Sequence, residues 1–480
     1  MNIASQAVPH LTMLTPDQIR FLHDNILQVL TNVGVRVDSP TARQVFARNP
    51  EAHVDGDRVL LEPELVEWAI HSSPQTINIY DRRGELRFTL GEDSTRFGIG
   101  VTNLYYQDPL TDDVTRFCRK HMALAVRLGN ALPQFDVVST IGVIQDLPQE
   151  IADLYASLEM IANTVKPLVL LISNEALFDP ALDMLESLIG DLREKPFVIP
   201  YLTPVTPLVM NVATTDKMIA AIQRDLPIIF SNYGMAGMST PISPAGTLVL
   251  LIAELLAGLV FSQLIRQGTP VILGSLPSFF DMKAMVDYYD PLTYLLNLGC
   301  AEMMAFYRLP HAGTSGSGLG WGMDPLAGGQ LCIDHLTSCL GKVGLAPFVG
   351  GNLGSKAFAP ALAVYSNEVI EQARRFAGGF SLDEESAALD DITRAGPGGH
   401  FLTTPLTMKR FRHDYYASDV FPRLSLEAWQ EKRQPQATQL LRERTVELLD
   451  ATQPPEDHDE LLARGESFIH AFPRRSAEKW

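Results

Sequence analysis

Residues 151–173, IADLYASLEMIANTVKPLVLLIS, decide how this chain folds. Ile151, Leu154, Tyr155, Leu158, Ile161, Ala162 and Val165 recur at i, i+3, i+4 and i+7, the apolar stripe of a helix packed on a core. Pro167 to Ser173 then runs apolar without alternation, as a parallel strand covered on both faces does. The same helix-then-strand unit extends outward in both directions. Strands are predicted over Arg96 to Asn103, Phe135 to Val143, Pro167 to Ser173, Phe197 to Thr203, Pro227 to Tyr233, Pro270 to Leu276, Leu309 to Thr314 and Leu345 to Gly350. Eight strands separated by helical patterns predict an α/β fold, a (β/α)₈ TIM barrel. The competing architecture, an open doubly wound sheet, would carry a glycine-rich phosphate loop after its first strand. Leu104-Tyr105-Tyr106 stands there instead.

Residues 1–93 form a predicted N-terminal α+β cap. Thr15-Pro16-Asp17 opens a helix with an N-cap and a proline at its first position. Ile77 to Tyr80 and Leu86 to Phe88 flank Arg83-Gly84 as a hairpin. Residues 94–378 hold the barrel. Residues 379–480 are predicted to form a largely helical C-terminal extension that packs on it.

Composition narrows the function. The chain has 480 residues, 46% hydrophobic and 20% charged, which suits a large packed core. A net charge of −18 repels nucleic acid and anionic lipid, so neither is expected as a partner. Four cysteines and no basic, apolar leader in Met1 to Leu14 point to a reducing cytoplasm. Leu248 to Phe261 is apolar but short and carries Glu254, so it reads as a buried barrel helix rather than a membrane span.

In a barrel the site lies where strands end. Those positions supply amides, hydroxyls and aromatics, with no Ser/His/Asp order and no lysine directly at a strand end. No catalytic residue is assigned. Tyr105, Tyr233, Phe279 and Trp321 are candidates to surround a cation, because aromatic faces attract an ammonium that cannot donate a hydrogen bond. Taken singly each is better accounted for as core filling, and the cage gains ground because several follow strand ends directly. Asn103 and Asn174 lie at strand ends, His311 lies inside strand seven where it could point into the barrel, and the glycine-flanked His400 is a further candidate donor. Gly316 and Gly318 after strand seven, and Gly350, Gly351 and Asn352 after strand eight, would let a large ligand approach the backbone closely. Cys332, His335 and Cys339 share helical spacing, yet their mid-helix position reads as buried thiols and a core histidine, so no metal site is expected.

Three motifs carry a resemblance. They are Leu30-Thr31-Asn32-Val33-Gly34-Val35-Arg36-Val37-Asp38-Ser39-Pro40, Tyr80-Asp81-Arg82-Arg83-Gly84 and Gly396-Pro397-Gly398-Gly399-His400-Phe401-Leu402. Their order along nearly the whole chain resembles the trimethylamine methyltransferase family, in its members without pyrrolysine. The resemblance implies a corrinoid-dependent methyltransferase acting on a quaternary amine such as glycine betaine. It implies that the corrinoid (cobalamin) rides on a separate partner protein. On that reading the strand-end aromatics Tyr105, Tyr233, Phe279 and Trp321 would surround the ammonium. Asn103, Asn174, His311 and His400 would hold the rest of the substrate, and the two glycine loops would give the corrin ring access. Leu326 in Asp324-Pro325-Leu326-Ala327-Gly328 and Leu406 in Leu406-Thr407 depart from the family pattern and leave the particular amine open. A zinc-dependent corrinoid methyltransferase and a non-catalytic betaine-binding protein are the alternatives, and a homo-oligomer is compatible with all three.

Overall fold

The computed structural model describes residues 6–92, 94–100, 102–314 and 316–477, with side chains as far as residue 472. Eight strands form its centre: β1 (Arg96–Ile99), β2 (Val137–Ser139), β3 (Leu168–Leu170), β4 (Val198–Leu202), β5 (Ile228–Ala236), β6 (Val271–Asp281), β7 (His311–Ala312) and β8 (Leu345–Val349). Each pairs in parallel with the next, and β8 returns to β1, so the sheet closes into a barrel without an edge. One helix follows each strand: α1 (Arg119–Ala131), α2 (Gln149–Asn163), α3 (Phe178–Ile189), α4 (Val212–Gln223), α5 (Pro244–Ile265), α6 (Pro291–Tyr307), α7 (Pro325–Leu340) and α8 (Pro360–Gly378).

Local chemistry sets where these helices begin. Asn211, Asp290 and Asp324 each accept a backbone N–H in the first turn of α4, α6 and α7. Proline opens α5, α6, α7 and α8, where a missing N–H is harmless. Two strands run past their predicted ends at Tyr233 and Leu276. β5 and β6 stay paired to Ala236 and Phe279, and the strand Val286–Tyr288 folds back antiparallel on the end of β6. That pairing beyond the rim satisfies backbone groups that would otherwise end at the barrel mouth.

α5 is apolar on all sides and is the one described helix long and apolar enough to cross a membrane, but it is largely buried. Its inner face meets β5 and β6, and its outer face is covered by three helices of the N-terminal region, Pro16–Gln28, Pro40–Phe46 and Pro63–Ser72. Thr15 closes a full capping box with Gln18 at the first of these.

The interior of the barrel is filled, not hollow. Val137, Val169, Ile199, Ile229, Ile272 and Leu345 point inward and pack together. The hairpin of Ile77–Tyr80 and Leu86–Leu90 inserts Ile79 and Phe88 into this cluster from the N-terminal end. Arg82, in its turn, is buried and clamps Asp457 bidentately at 2.5 and 2.6 Å, while its Nε donates to the Thr164 carbonyl at 2.8 Å. The plug is thereby tied to the C-terminal helices. Helix Ala437–Ala451 lies on α8 and α1, and His458–Ala477 lies on α2 and α3. The stretch Gly396 to Leu402 is exposed on the surface of the extension.

Candidate active site

A cavity of about 240 Å³ opens at the C-terminal ends of β5 to β8. Each strand contributes by its alternation. On β5, Ser231 and Tyr233 face inward, whereas Asn232 faces α5 and donates to Glu254 Oε2 at 2.9 Å. Tyr233 reaches the cavity from β5, Leu276 from β6, Thr314 from just beyond β7 and Phe348 from β8. Tyr201, one layer down on β4, meets Phe348 edge-on with centroids 4.9 Å apart.

The returning strand after β6 adds the charge. Asp287 lines the cavity and accepts a hydrogen bond from Tyr233 Oη at 2.8 Å, while Ser278 Oγ donates to the same phenol at 3.1 Å. Burial and the Asp287 carboxylate hold the Tyr233 hydroxyl well above its ordinary value, so it stays a neutral donor. Tyr289, two residues on, is half-buried in the wall and bonded to the Thr314 and Ser355 side chains. Burial, followed by the nearby Asp334 carboxyl, pushes it up to about 12.

Asp334, on α7, sits directly behind Gly316. A methyl group on Gly316 would overlap Asp334 Oδ2, and Gly316 has φ +72°, so only glycine closes this wall. Asp334 Oδ2 has no hydrogen-bond partner among the described residues. Burial raises its carboxyl well above the usual carboxylate range.

The candidates named from sequence fall into distinct places. Tyr233 and Gly316 line the cavity. Asn103 is fully buried behind it and donates to the Ser355 carbonyl at 2.7 Å, holding the loop that carries Gly354 and Ser355. Asn352 donates to Gln107 Oε1 at 3.0 Å and the Gly322 carbonyl at 3.3 Å, and Gln107 donates to the Trp321 carbonyl at 2.8 Å. These amides staple the loops after β1, β7 and β8 together. Gly318 packs against Asn352, and Gly350 against Phe358, so the glycine loops are dense chiefly because they pack on one another. Gly351 pairs with Phe358 in the same small sheet. Gly354 is the lining glycine with open space beside it.

The other candidates lie away from the lining. Trp321 is 74% exposed on the rim, and Tyr105 is 39% exposed in a short strand beside it. Phe279 packs on Tyr288 in the hairpin beyond β6. Asn174 caps the short helix Glu175–Leu177. His400 is exposed on the C-terminal extension. His311 sits at the start of β7, at the opposite end of the barrel, where its ring bonds the Val343 carbonyl at 2.8 Å. Cys332 is exposed whereas His335 and Cys339 are buried, so the three do not converge. Among the described residues no group of three or more His, Cys, Asp or Glu is placed to hold a metal.

Asp287 and Tyr289 were not singled out from sequence. The signal was present in Ser278 to Asp281 and Val286 to Tyr288, two short strand-like runs around an Asp-Met-Lys-Ala-Met turn.

The chain is similar along its whole length to characterised proteins. It is 27% identical to a glycine betaine methyltransferase of Desulfitobacterium hafniense (strain Y51), covering 97% of this chain and 98% of that one. It is 26% identical to a trimethylamine methyltransferase, MttB, of D. hafniense (strain DSM 10664 / DCB-2), over 94% and 92% of the two chains. Among solved structures, the Methanosarcina barkeri monomethylamine methyltransferase MtmB superposes with a TM-score of 0.55 at 9% identity, covering 96% of this chain and 88% of that one, a likeness of fold. The model of the trimethylamine methyltransferase (MTTB) family matches residues 1–478, and the chain belongs to that family.

Proposed function

We propose that this methyltransferase moves a methyl group from a quaternary amine, of the class that includes glycine betaine, to the Co(I) corrinoid of a separate corrinoid protein. The observation that carries the reading is the mouth cavity, in which Tyr233, Tyr289 and Phe348 surround a space bordered by the Asp287 carboxylate. Aromatic faces and a carboxylate together suit a cation that offers no hydrogen-bond donor. The corrinoid, when delivered, supplies the nucleophile. The N–CH₃ bond breaks with its electron pair left on nitrogen, and the amine departs neutral. No general acid is needed, which agrees with a wall whose phenols are held protonated.

The tasks left to the chain are positioning and exclusion of water. Tyr233, fixed by Asp287 and Ser278, sets one face of the ammonium's surroundings. Phe348 and Leu276 supply the apolar floor. The residues fit an acceptor brought from outside: space remains open beside Gly354, and the rim is apolar. Met238, Ile242, Met282, Met285, Trp321 and Leu326 are all exposed on segments that follow β5, β6 and β7. An apolar rim of this kind suits a protein face docking over the mouth.

Reduced corrinoid protein, the purified chain and a panel of methylated ammonium compounds test the reading. Methylcobalt absorbance together with the demethylated amine is the expected result. No methyl transfer from any member of the panel overturns it.

A further inference from the structure

The family relatives act on amines of different charge, and the cavity wall distinguishes between them. Among the ten described lining residues the only formal charge is the Asp287 carboxylate, and none of the ten is Lys, Arg or His. Lys356, which follows the lining residue Ser355, is exposed and lies outside the wall. The two phenols that could receive a substrate carboxylate are already engaged. Tyr233 donates to Asp287 at 2.8 Å, and Tyr289 shares hydrogen bonds with Thr314 and Ser355. Behind Gly316 lies a second carboxyl group, Asp334, which burial holds in its neutral form, so Asp287 carries the charge of this wall.

We infer that the methyl donor is a quaternary ammonium of net charge +1, with a plain or hydroxylated tail, rather than a zwitterionic betaine. This rests on the reading of the mouth cavity as the methyl-donor site. In a betaine as short as glycine betaine the carboxylate is a few bonds from the nitrogen. It would have to share the 240 Å³ cavity with Asp287. Like charges in a partly desolvated space repel strongly. A neutral hydroxyl meets no such barrier, and the lining residue Ser317 gives the wall a polar side to receive it.

Calorimetric titration of the full-length protein with tetramethylammonium, choline and glycine betaine tests this without any corrinoid. The two cations are expected to bind at least about tenfold more tightly than glycine betaine, the effect of a modest like-charge penalty. Asp287→Asn, checked for an unchanged melting curve, is expected to weaken the cations and narrow that gap. Glycine betaine binding as tightly as choline overturns the inference. If glycine betaine is also demethylated in the presence of reduced corrinoid protein, the methyl-transfer reading stands and the charge preference alone falls. If none of the three binds and none is demethylated, both fall.

Discussion

The two ends of this barrel carry cavities of opposite character. The N-terminal end holds the larger, about 460 Å³, bordered by His10, Arg308, His311 and Lys342 as well as Glu92 and Glu302. The C-terminal mouth holds about 240 Å³, bordered by aromatics, hydroxyls and one carboxylate. Size would favour the first. Topology favours the second, because parallel strands bring loops of independent length to their C-terminal ends, where side chains from several strands can converge. At the N-terminal end the space lies beside a plug whose residues are committed to the core. The larger cavity is a gap between packed elements, and the smaller one is where four strands aim their side chains.

Substitutions at the two ends sharpen this contrast. The largest effect is expected from Asp287→Lys, which replaces the cavity's carboxylate with a cation. Ammonium affinity should fall by roughly a thousandfold in calorimetry, since like charges at contact cost several kcal/mol. Unchanged affinity would place the ammonium elsewhere.

At the other end, His311 is buried, and burial lowers its imidazole to about 4. The unfolded chain takes up that proton near pH 6.5, so the folded state loses stability as pH falls from there toward 4. His311→Asn, which keeps a donor for the Val343 carbonyl, should remove up to about 3 kcal/mol of this acid sensitivity. Denaturant titrations at pH 7 and pH 4.5 measure it, and ammonium binding at pH 7 should be unaltered.

Gly316→Ala should cost about 2 kcal/mol through overpacking against Asp334 and the left-handed backbone. Adding Asp334→Ala should return part of that stability, a coupling read by a double-mutant cycle. The smallest effect is expected from Tyr233→Phe. The ring remains but the bond to Asp287 is lost, so ammonium affinity should drop by about 1 kcal/mol with the fold intact.

How much of this was legible in the sequence follows from which interactions are local. All eight barrel strands were visible, because strands buried on both faces write themselves as apolar runs such as Leu168 to Leu170 and Val198 to Leu202. The helix starts at Thr15 and the hairpin around Arg83-Gly84 were equally visible, being fixed by side chains within a few positions. The site was less so. Strand ends can be guessed to within a residue or two, and a shift of one residue turns a side chain from the mouth to the helix layer. Asn232 and Tyr233 are such a pair. Asp287 arrives on a strand whose existence depends on β6 overrunning the rim, a tertiary pairing with no marker in the preceding apolar run. His311 reads as a candidate because it lies in a strand, yet it stands at the start of β7, and the mouth is reached at Thr314, three residues on.

The plug formed by Ile79 and Phe88 and bolted by Arg82 to Asp457 closes the barrel from below, so among the described residues the C-terminal mouth is its doorway. On the proposed chemistry, amine and acceptor must both come through it, and they cannot pass each other. The amine enters first, the acceptor then covers the opening, and the demethylated product waits for the acceptor to leave. Turnover would accordingly show a compulsory order of arrival, with an excess of the docking partner slowing the reaction by sealing an empty or product-filled cavity.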